Sequence, residues 1–253
     1  MNGDFLALLP KPPPAPAGAT LPPELRLQAT TVFAFVCAEG VILAGDHRAT
    51  AGNLIFSDKT EKILELDAHS LMAIAGVPAT AFEMARTLQT TFEFYRRSQL
   101  QSMSLPAKIR ALSRLLRENL PATLQGFGIV SPIFAGVEVN DPDSKPVIYF
   151  YDPLGAQFEA ASFAGSGSGS GSIKSVLHFL EKWGKPRPCE MSADEAVTLA
   201  TRLLMTAAEF DTATGGVHPD RQLYATIKLL TREGIRTISQ QEQEHCWAEA
   251  MAV

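Results

Sequence analysis

The chain has 253 residues, 46% of them hydrophobic and 19% charged, enough apolar material for one large globular domain or at most two small ones. A net charge of −5 with no strongly basic region argues against nucleic acid as a partner. No apolar run approaches the roughly 20 residues a membrane-spanning helix needs, and three dispersed cysteines (Cys37, Cys189, Cys246), odd in number and without a C-x-x-C pair, speak for a reducing cytoplasm rather than a disulfide framework.

Phe5-Leu6-Ala7-Leu8-Leu9 is apolar but too short for a signal peptide and lacks a basic flank. Residues 10–23, PKPPPAPAGATLPP, are expected to be extended or disordered, since proline interrupts helix and sheet alike. This leader reads either as a linker or as a propeptide. Thr30–Cys37 and Val41–Ala44, joined at Glu39-Gly40, have the signature of a β-hairpin, and Lys62–Leu66 with Ser70–Ala75 form a second. The period then becomes helical over 79–99, with Phe82, Ala85, Leu88, Phe92 and Tyr95 on one stripe. A second helix is predicted over Ala107–Leu120, ending at Pro121. The basic residues Arg96, Arg97, Lys108, Arg110, Arg114 and Arg117 read as a solvated helix face.

Strands are predicted again at Phe127–Glu138, Val147–Asp152 and Gln157–Phe163. The tract Gly165–Ser172, GSGSGSGS, matches neither a dinucleotide fingerprint nor a P-loop and reads as a tight loop before a helix over Ile173–Trp183. Ser192 and Glu195 form a capping box for the next helix, which buries Val197, Ala200, Leu203, Leu204 and Ala207. Tyr224–Leu230 and Ile235–Ile238 close the chain as strands. The order strands, two helices, strands, two helices, strands is that of an α+β protein with two sheets between two helix layers.

Thr30 directly follows the leader. A cut between Ala29 and Thr30 would leave one residue holding both a hydroxyl nucleophile and a free α-amine, a nucleophile-and-base unit that needs no histidine. Such an amine titrates near 7.7–8.0 and is therefore partly neutral at working pH. Asp46 and Lys62 follow at successive steps of sixteen residues. Taken singly, a Thr-Thr pair is ordinary strand core, Asp46 a turn cap and Lys62 an exposed charge. Together, with Gly52 and Gly76 allowing close backbone approach, they read as an amide-hydrolysing site.

Those residues carry a resemblance. Thr30-Thr31-Val32, Gly45-Asp46-x-Arg48-Ala49-Thr50-x-Gly52, Lys62 and Ile74-Ala75-Gly76, then Gly167-Ser168-Gly169-Ser170 and Asp211-x-x-Thr214-Gly215-Gly216, resemble the proteasome β-subunits, threonine peptidases with the four-layer αββα sandwich of the N-terminal nucleophile hydrolases. The resemblance spans about residues 30–240. It implies a leader over 1–29 and a peptidase domain over 30–253. Thr30 would be the nucleophile, Lys62 a nearby cation held by Asp46, and the Gly76 N–H the oxyanion donor. Ser168, Asp211 and Thr214 would support the amine. Ser168 is placed by anchoring on Lys174-Ser175, with Ser166 and Ser170 as alternatives. Thr50 and Gly76 would pair with an extended substrate, Gly52 would also belong to the substrate-binding set, and Ala49, Thr60, Leu64, Ile74 and Pro78 would line a mostly apolar side-chain pocket. Three features depart from the family pattern: Ala29 replaces the usual glycine before the nucleophile, Thr214 replaces a serine, and the Gly-Ser tract is longer.

The resemblance further implies no metal or organic cofactor, unfolded protein or peptide substrates, and a homo-oligomeric double ring of fourteen subunits in the cytoplasm, capped by an α-type ring or an ATPase unfoldase. It points to a bacterial homologue. Two other readings are a shorter ATPase-partnered bacterial relative with the same chemistry and a non-catalytic ring scaffold.

Overall fold

In the computed structural model, residues 27–51, 54–126, 128–218 and 223–251 are described. Most of the leader, together with Gly52 and Phe127, lies outside them. Two five-stranded antiparallel sheets form the centre. One contains β2 (Thr31–Val36), β3 (Val41–Gly45), β11 (Phe163–Gly167), β12 (Thr226–Leu230) and β13 (Ile235–Thr237), in the order β11-β2-β3-β12-β13. The other contains β6 (Ile63–Asp67), β7 (Ser70–Ala73), β8 (Ile133–Gly136), β9 (Val147–Tyr151) and β10 (Gln157–Ala160), in the order β10-β9-β8-β7-β6.

Period-two alternation sorts the strand residues into layers. Phe33, Phe35, Ile42 and Ala44 pack against α4 (Ser170–Trp183) and α5 (Ala193–Phe210). Their neighbours Val32, Ala34, Val41 and Leu43 face the other way and meet Ile63, Leu71, Ala73 and Ile133 of the second sheet. Met72 and Phe134 on the far side of that sheet pack against α1 (Pro78–Gln99) and α2 (Leu105–Glu118). Three apolar interfaces between four layers make the fold an α+β, αββα sandwich. Because β2 and β3 are covered on both faces, they read as unbroken apolar runs rather than as alternating ones. The capping box forms as predicted: the Ser192 hydroxyl accepts from the Glu195 N–H at 3.4 Å, and the Glu195 carboxylate accepts from the Ser192 N–H at 2.8 Å.

Several elements differ from expectation. A third, small sheet, ordered β1-β4-β5, is made from β1 (Leu27–Ala29), β4 (Ala49–Ala51) and β5 (Leu54–Ser57). Pro121 does not end a helix; it sits in the first turn of a short helix, α3 (Leu120–Leu124), where its missing N–H costs nothing. The strand expected over 127–138 is regular only at β8, preceded by a single bridge between Val130 and Gly76. Part of the Gly-Ser tract is strand, since Gly165–Gly167 pair with Thr31–Phe33 as the end of β11. A last helix, α6 (Gln240–Met251), packs on α5 through Cys246 and Trp247. Lys108 is buried on α2, not solvated: it pairs with Asp67 at 2.6 Å and lies 5.6 Å from the centre of the Phe92 ring. Arg96, Arg97 and Arg114 are surface residues paired along their own helices. No described helix is long and apolar enough to cross a membrane.

Candidate active site

The open end of the β2–β3 hairpin builds the site. Register pairs Val32 with Gly45, so Thr31 and Asp46 face each other just beyond the last pair. The Asp46 N–H donates to the Thr31 carbonyl at 3.3 Å, and the Thr31 N–H donates to Asp46 Oδ1 at 3.0 Å. Lys62 enters from the start of β6 and donates its Nζ to the same Oδ1 at 2.7 Å and to the Arg48 carbonyl at 2.5 Å. Asp46 Oδ2 accepts the Arg48 N–H at 2.9 Å and the Gly215 N–H at 2.8 Å. Four donors therefore saturate one carboxylate. The Lys62 and Asp46 side chains are 1% and 0% exposed. Burial pushes the Lys62 ammonium below its ordinary range, with Asp46 opposing that shift.

Thr30 is buried at the first position after β1. Its carbonyl accepts the Ser168 N–H at 3.1 Å. Gly167 makes that approach possible: its φ is +94°, and a Cβ there would lie 1.6 Å from the Thr30 oxygen. A second carboxylate stands on the other side. Asp211, at the C-terminal cap of α5, accepts at Oδ2 from the hydroxyls of Ser168 and Thr214, each at 2.6 Å. Burial would raise the Asp211 pKa, but these two hydroxyls and the Ala213 N–H outweigh it and hold the carboxyl below its ordinary range. Of the three candidate serines, Ser168 is the one on Asp211. Ser166 donates to the Ser131 carbonyl, and Ser170 to the Gly167 carbonyl.

Gly76 sits at φ +112° and bridges Val130; a Cβ would fall 2.0 Å from the Ile129 carbonyl. The remaining candidates come from several elements. Ala49 and Thr50 lie on β4 and Leu64 on β6; the Ile74 N–H donates to the Lys62 carbonyl at 2.9 Å, and Pro78 opens α1. Thr60, on the segment before β6, donates its N–H to the His47 carbonyl at 3.0 Å. The β4 edge is not empty. The end of the leader runs antiparallel to it, with Leu27 opposite Ala51 and Ala29 opposite Thr50.

Sequence reasoning gave no role to four neighbours. The Arg48 carbonyl and the Gly215 N–H, which complete the Lys62–Asp46 pair, lie inside motifs already singled out. His47 bridges the Thr60 carbonyl at 3.2 Å and the Thr226 hydroxyl at 3.1 Å, and the Thr31 hydroxyl meets Thr214 at 2.6 Å. Neither of these last two carries a spacing signal.

A two-sheet, two-helix-layer sandwich with a buried acid–lysine pair at the head of its first long strand defines the N-terminal nucleophile hydrolase fold. The proteasome subunit family matches residues 27–218, and the chain belongs to that family. It is 39% identical over 213 residues to proteasome subunit beta 2 of Thermomonospora curvata, covering 84% of this chain and 73% of that one. It is 35% identical over 234 residues to the proteasome subunit beta of Stackebrandtia nassauensis (92% and 80% covered) and 35% identical over 230 residues to that of Jonesia denitrificans (91% and 73% covered).

Proposed function

We propose that the chain is a threonine endopeptidase of the proteasome β type, made as a precursor, activated by cleavage before Thr30 and working inside a closed ring in the cytoplasm. The buried Lys62–Asp46 pair beside the first residues of β2 carries this reading. An ion pair stripped of water adds little to stability, so a lysine buried among hydrogen-bond acceptors at a strand head points to chemistry. Two of its three N–H groups are taken by Asp46 and Arg48 among the described residues, which leaves one for the Thr30 hydroxyl.

The leader strand supports both activation and substrate binding. Activation starts when Thr30 Oγ attacks the Ala29 carbonyl carbon. The Ala29–Thr30 amide bond breaks as an Ala29–Oγ ester forms, and the proton of Oγ passes to the released amine. Water then hydrolyses the ester, freeing a leader that ends in the Ala29 carboxylate. The amine now exposed on Thr30 takes the Oγ proton in each later turnover. A substrate added along β4 takes the place that Leu27–Ala29 hold before cleavage, paired through its backbone, while the Gly76 N–H stabilises the oxyanion. Ala49, Thr60, Leu64, Ile74 and Pro78 favour an apolar side chain before the cut. The leader is residues 1–29 and the peptidase domain 30–253. The methyl group of Ala29 restricts the backbone at the scissile bond, so the first cleavage is slower than in an Ala29→Gly variant.

The ring is a homo-oligomeric double ring, and its substrates are unfolded chains fed by an α-type ring or an ATPase unfoldase. The test is Thr30→Ala. The variant is expected to keep its leader by intact mass and to lose peptide hydrolysis. Full activity with Thr30 replaced would overturn the assignment.

A further inference from the structure

We infer that Thr31 is a positioning residue that locks the nucleophile between the two carboxylate clusters through its side-chain hydroxyl. The inference rests on the peptidase reading and adds to it a residue outside the nucleophile, lysine and acid set. Thr31 shares its strand face with Phe33 and Phe35, which pack into the helix-side core. An apolar residue is expected there, and a fully buried hydroxyl is costly unless it is bonded. Its bonds are fixed in direction. Thr214 has one hydroxyl proton, and it goes to Asp211 Oδ2 at 2.6 Å. At the 2.6 Å contact between the two threonines, Thr31 must therefore be the donor. Thr31 Oγ1 in turn accepts the Gly169 N–H at 3.0 Å. The chain runs one way: Gly169 to Thr31, Thr31 to Thr214, Thr214 to Asp211.

The backbone of the same residue is tied to the other acid, because the Thr31 N–H donates to Asp46 Oδ1, the oxygen that also holds Lys62. One residue thus links the Lys62–Asp46 pair to the Ser168–Asp211–Thr214 group, immediately next to Thr30. The Gly-Ser tract is shaped around this link. A Cβ on Gly169 would lie 2.5 Å from Thr214 Oγ1 and 2.7 Å from Thr31 Oγ1, whereas a Cβ on Gly171 would meet nothing. Small displacements at a nucleophile cost large factors in rate, so the hydroxyl sets the angle at which Thr30 meets its substrate.

The experiment compares Thr31→Val, which keeps the shape and removes the hydroxyl, with Thr31→Ser, which keeps the hydroxyl and removes a methyl. Turnover is counted per active site titrated with a covalent threonine-directed inhibitor, so the folded fraction does not enter. Thr31→Val is expected to lower kcat per site by about 10- to 100-fold with KM unchanged, while Thr31→Ser stays close to the parent. A packing role predicts the reverse order, and that order, or parent-like kcat in Thr31→Val, overturns the inference. If Thr31→Val yields no titratable sites, Thr31→Cys, a weaker donor of similar shape, replaces it: kcat below that of Thr31→Ser supports the inference, and equal kcat contradicts it. Thr30→Ala in the same series separates the two levels. Activity surviving in Thr30→Ala sinks the peptidase reading itself, whereas an inert Thr30→Ala beside a fully active Thr31→Val sinks only the role of Thr31.

Discussion

On the proposed function, Lys62 is the residue on which the chemistry turns. Its ammonium is held below the ordinary lysine range by burial, yet it stays bonded to Asp46. A lysine in that condition can pass a proton to and from a neighbouring oxygen, which arginine cannot do at any accessible pH. Lys62→Arg, assayed on folded protein, is therefore expected to lose about 10²–10⁴-fold in turnover although it preserves the charge; parent-like turnover would mean that charge alone suffices. Asp46 and Lys62 stood out in the sequence only together with Thr30, at successive steps of sixteen residues, since singly each passes for a turn cap or an exposed charge. Thr31 did not, because a threonine at the start of a strand looks like any β-branched core residue until Thr214 is seen beside it. Ser168, Asp211 and Thr214 came from family resemblance, since no spacing in the chain announces that a loop and a helix end will meet.

Among the elements, the close of β11 on Thr30 and the tie between α2 and the β6–β7 turn are the most exposed to test. Gly167→Ala puts a methyl into the Thr30 carbonyl at a backbone angle that L-residues avoid. It is expected to cost about 1–3 kcal/mol of overpacking and to leave the leader attached by intact mass. Asp67 faces the buried Lys108. Burial alone would raise the Asp67 carboxyl, but Lys108, Ser70 and the His69 N–H together hold it below its ordinary 3.8. A depressed carboxyl stabilises the fold above its unfolded value and loses that contribution as pH falls through the folded one. Asp67→Asn is therefore expected to cost about 3–5 kcal/mol at pH 7 by urea denaturation, because Lys108 is left buried without its counter-charge; the gap should begin to narrow below about pH 4 and close as pH falls through the depressed folded value. A gap independent of pH would remove the ion pair from the account. The long amphipathic helices and paired strands were readable from their periods. β1, β4 and β5 were not read as strands. α6 opens on Gln240-Gln241-Glu242-Gln243-Glu244-His245, a run too polar to show the stripe by which a helix is recognised.

At the scale of the whole molecule, the αββα layering followed from the order of elements, since amphipathic helices and doubly buried strands have few other ways to cover their apolar faces. Assembly did not, because an interface between copies has no period of its own. On the proposed function, the processed protein forms stacked rings of sevenfold symmetry by electron microscopy; six-membered rings would favour the shorter ATPase-partnered relative, and rings that retain the leader a scaffold. The most direct measurement is intact mass with peptide mapping after treatment with a covalent threonine-directed inhibitor. The expected result is a chain that begins at Thr30 and carries one adduct on that residue. A full-length chain, unlabelled at Thr30 yet active on peptides, would contradict the central claim.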